Sequence, residues 1–306
     1  MAIPTSRTNK TAEIKFNSES CNGCGSCVTV CKDFNLVVED GIVKESGTSI
    51  FGCIGCGHCA AICPNDAIEV HGRTMTPEDL FAFSYDKESA GYEELLLLYQ
   101  RRRSIREFKN KEIESELIDK IVYAAKTSPM GIPPSDVNVL VINSKEKNRE
   151  FAKDFCKYLE SIKWIASDWF LTLMRPFLGK ELTSMYKDFL RPLLNIYTTG
   201  MKNGINNVNY DAPLSMYFYG TLYSDPADPI VAATSAMYAA ESLGLGTCLI
   251  GGVHPFIQKS KQAEKFRKKY GIKNTSKEGL ILIIGYPDVK YRKGINRTFA
   301  SVTMMD

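Results

Sequence analysis

No apolar run in the 306-residue chain approaches the length of about 18 residues that a membrane-spanning helix requires. The first residues, Met1-Ala-Ile-Pro-Thr-Ser-Arg7, hold no apolar core of the size a secretory signal carries. A Gly-x-Gly-x-x-Gly turn for a dinucleotide is missing, and so is a nucleophile paired with a base. Charge of one sign is scarce too: 38 Lys and Arg against 35 Asp and Glu leave a formal +3, which advertises neither a nucleic-acid nor a membrane partner. The expectation is a cytoplasmic protein with reduced cysteines, bound to neither. Its 44% apolar and 24% charged residues are ordinary for folded domains, and the length allows one large unit plus a small one.

What is present is a duplication. Cys21-Asn-Gly-Cys24-Gly-Ser-Cys27-Val-Thr-Val-Cys31 recurs 32 residues later as Cys53-Ile-Gly-Cys56-Gly-His-Cys59-Ala-Ala-Ile-Cys63-Pro64. The same offset lays Gly23 and Gly25 on Gly55 and Gly57, Leu36 on Ile68, and Val38 on Val70, so two pseudo-symmetric halves are expected. The spacing C-x2-C-x2-C-x3-C-P resembles that of bacterial two-cluster ferredoxins, in which three cysteines wrap one iron-sulfur cube and the fourth reaches the other. The resemblance implies one [4Fe-4S] cluster on Cys21, Cys24, Cys27 and Cys63, and a second on Cys53, Cys56, Cys59 and Cys31. Paired zinc sites also use four thiolates, but have no use for the duplicated third spacing. A disulfide framework suits a small secreted domain, not this chain. A metal-free remnant would be expected to have lost ligands, whereas all eight are here. Lys32 stands where the second half has Pro64, which removes a turn former and no ligand.

Along the chain, residues 1–73 form the ferredoxin-like unit, 74–92 a linker and 93–306 the larger unit. Leu36–Asp40 and Ala67–His71 alternate as short edge strands. Thr76-Pro77-Glu78-Asp79 supplies a cap, a first-turn proline and acids, the start of a helical turn. The stretch from Glu93 to Arg103 puts acids first and bases last, which suits a helix dipole. A second helix carries Leu117, Ile118, Ile121, Val122 and Ala125 and stops at Ser128-Pro129. Strands follow at Val137–Ile142, Leu214–Tyr219, before Gly251 and at Gly279–Gly285, with a small-residue helix opening at Asp225-Pro-Ala-Asp-Pro229. Residues 146–205 are mostly helical, with Phe155, Tyr158, Trp164, Trp169, Phe170, Phe177, Tyr186 and Tyr197 serving a core, a lid or a dimer contact. Cys156 and Cys248 sit in apolar patterns as core thiols. His58 points outward, where it would tune its cluster's potential, and His254 follows a glycine loop.

Three features of the larger unit suit a planar ligand with a phosphate. Arg102-Arg103-Ser104 ends a helix, with Arg106 following, and offers charge-assisted bonds; a solvated basic helix end reads the same way. Gly251-Gly252 bares backbone to a ring edge. Arg292 and Lys293 follow a buried strand.

In this order, the segments Arg102-Arg103-Ser104-Ile105-Arg106-x-Phe108, Gly244-Leu-Gly246-Thr-Cys-Leu-Ile-Gly251-Gly252 and Gly285-Tyr-Pro287 with its basic pair resemble the nitroreductase family of FMN flavoproteins, from about Glu93 onward. The resemblance implies an α+β sandwich with a central mixed sheet flanked by helices. It implies phosphate contacts from Arg102, Arg103, Ser104 and Arg106, with Arg292 and Lys293 near the phosphate or ribityl chain. It implies backbone contacts from Ile250, Gly251 and Gly252 at the ring. It also implies a homodimer in which the Pro129-Met130-Gly131-Ile132 loop reaches the partner's flavin. That loop departs from the serine-asparagine-glutamine pattern of many relatives. No proton-donating or other catalytic side chain is assigned.

The function expected is an FMN-dependent oxidoreductase. An external donor, a ferredoxin or NAD(P)H, loads two [4Fe-4S] clusters, and FMN passes the electrons to a small acceptor such as a nitroaromatic, quinone or activated alkene. An electron carrier that serves another protein, and a protein that handles loosely bound FMN, are the alternatives.

Overall fold

The computed structural model describes residues 2–32, 35–83, 89–273 and 276–305. Residues 84–88 of the expected linker lie outside the described residues. The small unit contains β1 (Glu13–Phe16), α1 (Ser26–Val30), β2 (Leu36–Glu39), β3 (Ile42–Glu45), α2 (His58–Ala61) and β4 (Ile68–His71). β1 pairs antiparallel with β4, and β2 with β3. The duplication is structural as well, because α1 and α2 start 32 residues apart and each springs from a left-handed glycine, Gly25 at φ 71° and Gly57 at φ 74°. Side chains rarely adopt that backbone. Burial breaks the symmetry: Val70 is 1% exposed and Val38 38%. Ile14, Leu36, Val43 and Ile68 make a small core with Cys27 and Cys59. After it, Thr76 caps a single 3-10 turn, Pro77–Asp79, its amide donating to Asp79 Oδ2 at 2.8 Å.

The larger unit runs α3 (Tyr92–Arg101), α4 (Ser115–Lys126), β5 (Asn138–Asn143), α5 (Lys145–Ile162), α6 (Asp168–Met185), α7 (Arg191–Lys202), β6 (Leu214–Tyr219), α8 (Asp228–Ser242), β7 (Gly246–Ile250), α9 (His254–Lys259), α10 (Glu264–Lys269) and β8 (Gly279–Gly285). The sheet order is β5-β6-β8-β7, and all three ladders are antiparallel. The parallel element is a bridge from Ser104 to Thr247, with Ile105 N donating to Thr247 O at 2.8 Å. The arginine segment therefore lies along the outer edge of β7.

β6 is buried on both faces. Leu214, Met216 and Phe218 meet α4 and α8, while Tyr217 and Tyr219 join the core built on α5, α7, α9 and α10. A helix layer on each side buries every residue of the strand, which is why, Ser215 apart, it reads as an apolar run. Each fully buried aliphatic side chain contributes about 1.5–3 kcal/mol. Ala232, Ala233, Ala236 and Ala240 let α8 approach the sheet and α4 closely.

Cys156 and Cys248 are core residues at 5% and 1% exposure, and burial pushes the Cys156 thiol up to about 11, with Glu160 adding to it. His254 is buried, its Nδ1 2.8 Å from the Tyr217 hydroxyl, so it belongs to the core and not to a site. The aromatic set divides. Phe155, Tyr158 and Tyr197 are core, while Trp169 and Phe177 on α6 are 62% and 82% exposed. Among the described residues no helix is long and apolar enough to cross a membrane.

Candidate functional site

Local turns bring the cysteines into two groups. Cys21, Cys24, Cys27 and Cys63 line one void. Burial raises the Cys27 thiol above its ordinary range, and the neighbouring Cys63 and Cys24 raise it further. Cys59 is pushed up to about 12, first by burial and then by Cys53, Cys56 and Cys31. The fourth cysteine of each motif thus stands with the first three of the other. Sulfurs so crowded and dehydrated repel one another as thiolates, and a cationic iron core is what would relieve that repulsion. Backbone N–H groups also turn to sulfur, Ala67 N donating to Cys63 Sγ at 3.2 Å. Exposed Cys24 differs: the Ser26 hydroxyl, 3.4 Å away, holds it below its ordinary value. Among the described residues no three ligating side chains converge as on a single ion; the fit lies in the donor set. His58 is exposed beside it.

The arginine segment forms the second part. Arg103 donates from Nη1 to Arg102 O at 2.6 Å and from Nη2 to Lys293 O at 3.5 Å, which draws the basic tail to the helix end. Its Nε is buried with no partner, an orphaned cationic donor at the place where a phosphate was expected. Burial raises the Glu241 carboxyl above its ordinary range, opposed by the Thr247 hydroxyl at 2.5 Å and by Arg102. Arg106 instead lies exposed over the Tyr210 ring, 5.6 Å from its centroid. Arg292 is exposed, and Ile250 ends β7 before the Gly251-Gly252 turn. A side chain at Gly252 would come within 2.7 Å of the Tyr197 hydroxyl, so packing alone already demands glycine there.

The Pro129–Ile132 loop is the third part. Gly131 N donates to Asp228 Oδ1 at 2.9 Å, which pins the loop to the head of α8. The sequence shows Asp228 only as part of a helix start; its buried role as the loop's anchor required the fold. Across from the loop stand Cys31, Cys56 and His58, and the cleft between them holds about 740 Å³, with Ser128, Met130 and Ile132 on the loop side. The Ser128 hydroxyl there is buried and unpartnered. Ser6 donates to Asp136 Oδ2 through its amide at 3.0 Å, and the Arg73 guanidinium bridges Ile54 O and Pro133 O. Neither of these links was visible as a motif.

Loop and arginine segment are not brought together within one chain. Asp228 stands at one end of α8 and Glu241, beside Arg102, at the other. The helical rise from one to the other is about 20 Å.

Residues 13–64 match the 4Fe-4S dicluster domain, a unit that carries two such clusters, and residues 99–286 match the nitroreductase family. No curated protein matches the chain. Among solved structures, an FMN-bound nitroreductase from Bacteroides fragilis is similar at 16% identity and TM-score 0.50, over 70% of this chain and 99% of that one. One from Desulfitobacterium hafniense, also with FMN, is similar at 20% identity and TM-score 0.49, over 69% and 97%. The B. fragilis likeness shows the fold. With the family match covering more than half of its residues, the chain belongs to the nitroreductase family and carries an amino-terminal 4Fe-4S dicluster domain.

Proposed function

We propose that the chain is an FMN-dependent oxidoreductase in which two [4Fe-4S] clusters relay electrons toward the flavin, for delivery to a small acceptor that stacks on it. The observation that carries this reading is the cleft shared by Cys31, Cys56 and His58 with Ser128, Met130 and Ile132: one cysteine group faces the loop expected at a flavin. FMN is bound by the B. fragilis relative, and the buried, unpartnered Arg103 Nε supports a phosphate in this chain too. When bound, the clusters supply single electrons and the flavin supplies the exchange between one- and two-electron chemistry. The residues of the chain bind and orient: Arg103 and Ser104 at the phosphate, the Ile250–Gly252 backbone at the ring edge, and the apolar loop as a wall against water. Sulfur chemistry of this kind suits the reducing cytoplasm.

The same geometry supports a homodimer. Because α8 separates loop and arginine segment by about 20 Å, a flavin touched by both takes one from each copy. Phe177 on α6 and Phe299, Met304 and Met305 of the tail are 82%, 85%, 85% and 94% exposed, apolar surface that a second copy would cover. Sedimentation velocity is expected to give twice the mass of the 34.2 kDa chain; a monomer that keeps its flavin would overturn the shared site.

The decisive experiment is anaerobic stopped-flow mixing of the holoprotein with reduced ferredoxin, NADH and NADPH, followed by nitroaromatic, quinone and activated-alkene acceptors. The clusters should bleach before the flavin, and at least one acceptor should reoxidise both. Flavin bleaching ahead of the clusters would reverse the direction of flow. Full reduction that only another protein can discharge would favour the electron carrier.

A further inference from the structure

Arg73 follows the second motif in a stretch, His71-Gly72-Arg73-Thr74, with no sequence signature. It is 6% exposed. Its guanidinium makes five hydrogen bonds, all to backbone carbonyls: Nε to Ile54 O at 3.0 Å and Pro133 O at 3.2 Å, Nη1 to Ile3 O at 2.9 Å and Lys10 O at 2.8 Å, and Nη2 to Pro133 O at 2.7 Å. Ile54 lies between Cys53 and Cys56, and Pro133 directly follows the Pro129–Ile132 loop. One side chain therefore ties the loop carrying two sulfur ligands to the loop expected at the flavin.

We propose that Arg73 is a positioning residue that makes the cluster of Cys53, Cys56, Cys59 and Cys31 the flavin-side relay. It bolts that cluster's loop to the flavin loop and, as a buried cation with no carboxylate partner among the described residues, makes that cluster the easier of the two to reduce. The inference rests on the function proposed above. Reducing an iron-sulfur cluster adds negative charge, which a nearby fixed cation favours. Burial pushes the Arg73 guanidinium below its ordinary range, and the charge that opposes this is that of Cys53. Glu45 also acts on Cys53, with the opposite sign, but Glu45 is exposed. Glu45 is solvated and screened by salt, whereas Arg73 is held at the Cys53 loop by its hydrogen bonds. The other group, around exposed Cys24, has no such cation in its void lining of Ser20, Asn22, Ser26, Pro64 and Asn65. Electrons accordingly enter there from an external one-electron donor. Each transfer oxidises the Cys21/Cys24/Cys27/Cys63 cluster by one electron and reduces the Cys53/Cys56/Cys59/Cys31 cluster by one.

The test is a potentiometric titration of the anaerobically purified holoprotein followed by electron paramagnetic resonance, with the two signals assigned through Cys31→Ser. In the unaltered protein the Cys53/Cys56/Cys59/Cys31 cluster should have the higher midpoint. Arg73→Gln should lower its ratio of reduced to oxidised cluster at a fixed potential by about tenfold, which is 59 mV for one electron, and leave the other cluster in place. Arg73→Lys keeps the charge without the fork, so its midpoint should stay close to the original while donor-driven flavin bleaching slows. The inference is overturned if the order of midpoints is reversed in the unaltered protein, or if Arg73→Gln retains its iron and flavin with neither midpoint moved. The order of midpoints needs no variant to fold. A protein that purifies without iron, or without flavin, would instead refute the proposed function.

Discussion

Cys31→Ser is expected to dismantle the cluster of the other motif. Iron should fall from about eight to about four per chain, one cube lost of two. Cys53, Cys56 and Cys59 should become open to alkylation under native anaerobic conditions, while Cys21, Cys24, Cys27 and Cys63 stay protected. The reason is geometric: Cys59 is raised by Cys31 as well as by Cys53 and Cys56, whereas Cys27 is raised by Cys63 and Cys24. Donor-driven flavin reduction should fail as well, since the group that borders the cleft with Ser128, Met130 and Ile132 is the one lost. Cys63→Ser should expose the opposite set. Peptide mapping that finds Cys21, Cys24 and Cys27 alkylated in Cys31→Ser would mean that each motif serves itself, and the crossed arrangement would be wrong.

Replacing Arg103 by methionine separates ligand binding from folding. With FMN, the guanidinium would make charge-assisted bonds worth about 1.5–3 kcal/mol, so Arg103→Met should weaken FMN by about ten- to a hundredfold, at 1.4 kcal/mol for each factor of ten. Without FMN the outcome differs. The variant loses bonds to Arg102 O and Lys293 O, the second a long 3.5 Å. It also removes the buried Nε that has no partner, and relief of an unpaired buried donor offsets losses of this size. The melting temperature of flavin-free protein should therefore barely move, while that of the FMN-saturated protein drops. Flavin fluorescence titration together with calorimetry reads both. An unchanged affinity alongside a large loss in the flavin-free protein would make Arg103 a folding residue and move the phosphate elsewhere.

The cysteine framework and the main strands were legible without a structure because both are local. Ligand spacing around a cube is set by a few consecutive turns, and β6 and β8 are apolar on both faces because helices cover both. β1 and β3 escaped notice: each has four residues and too little apolar content to stand out until its pairing partner is known. α9 and α10 are six residues each, too short for a helical apolar period to show, and α10 buries only Phe266. The motif groups Arg106 with the phosphate residues, and the fold adds that its side chain lies over Tyr210; a motif gives residue order, not side-chain direction.

By itself, then, the sequence showed eight thiols in two motifs of ferredoxin-like spacing and a nitroreductase-like domain after them, since short-range spacing and apolar period encode both. Only the tertiary structure shows which cysteine group borders the Pro129–Ile132 loop, that α8 holds that loop apart from the arginines, and that Arg73 joins the two units. Those relations bring together residues distant in the chain, such as Arg73 and Pro133, and no local pattern records a long-range contact between backbone carbonyls and one buried cation.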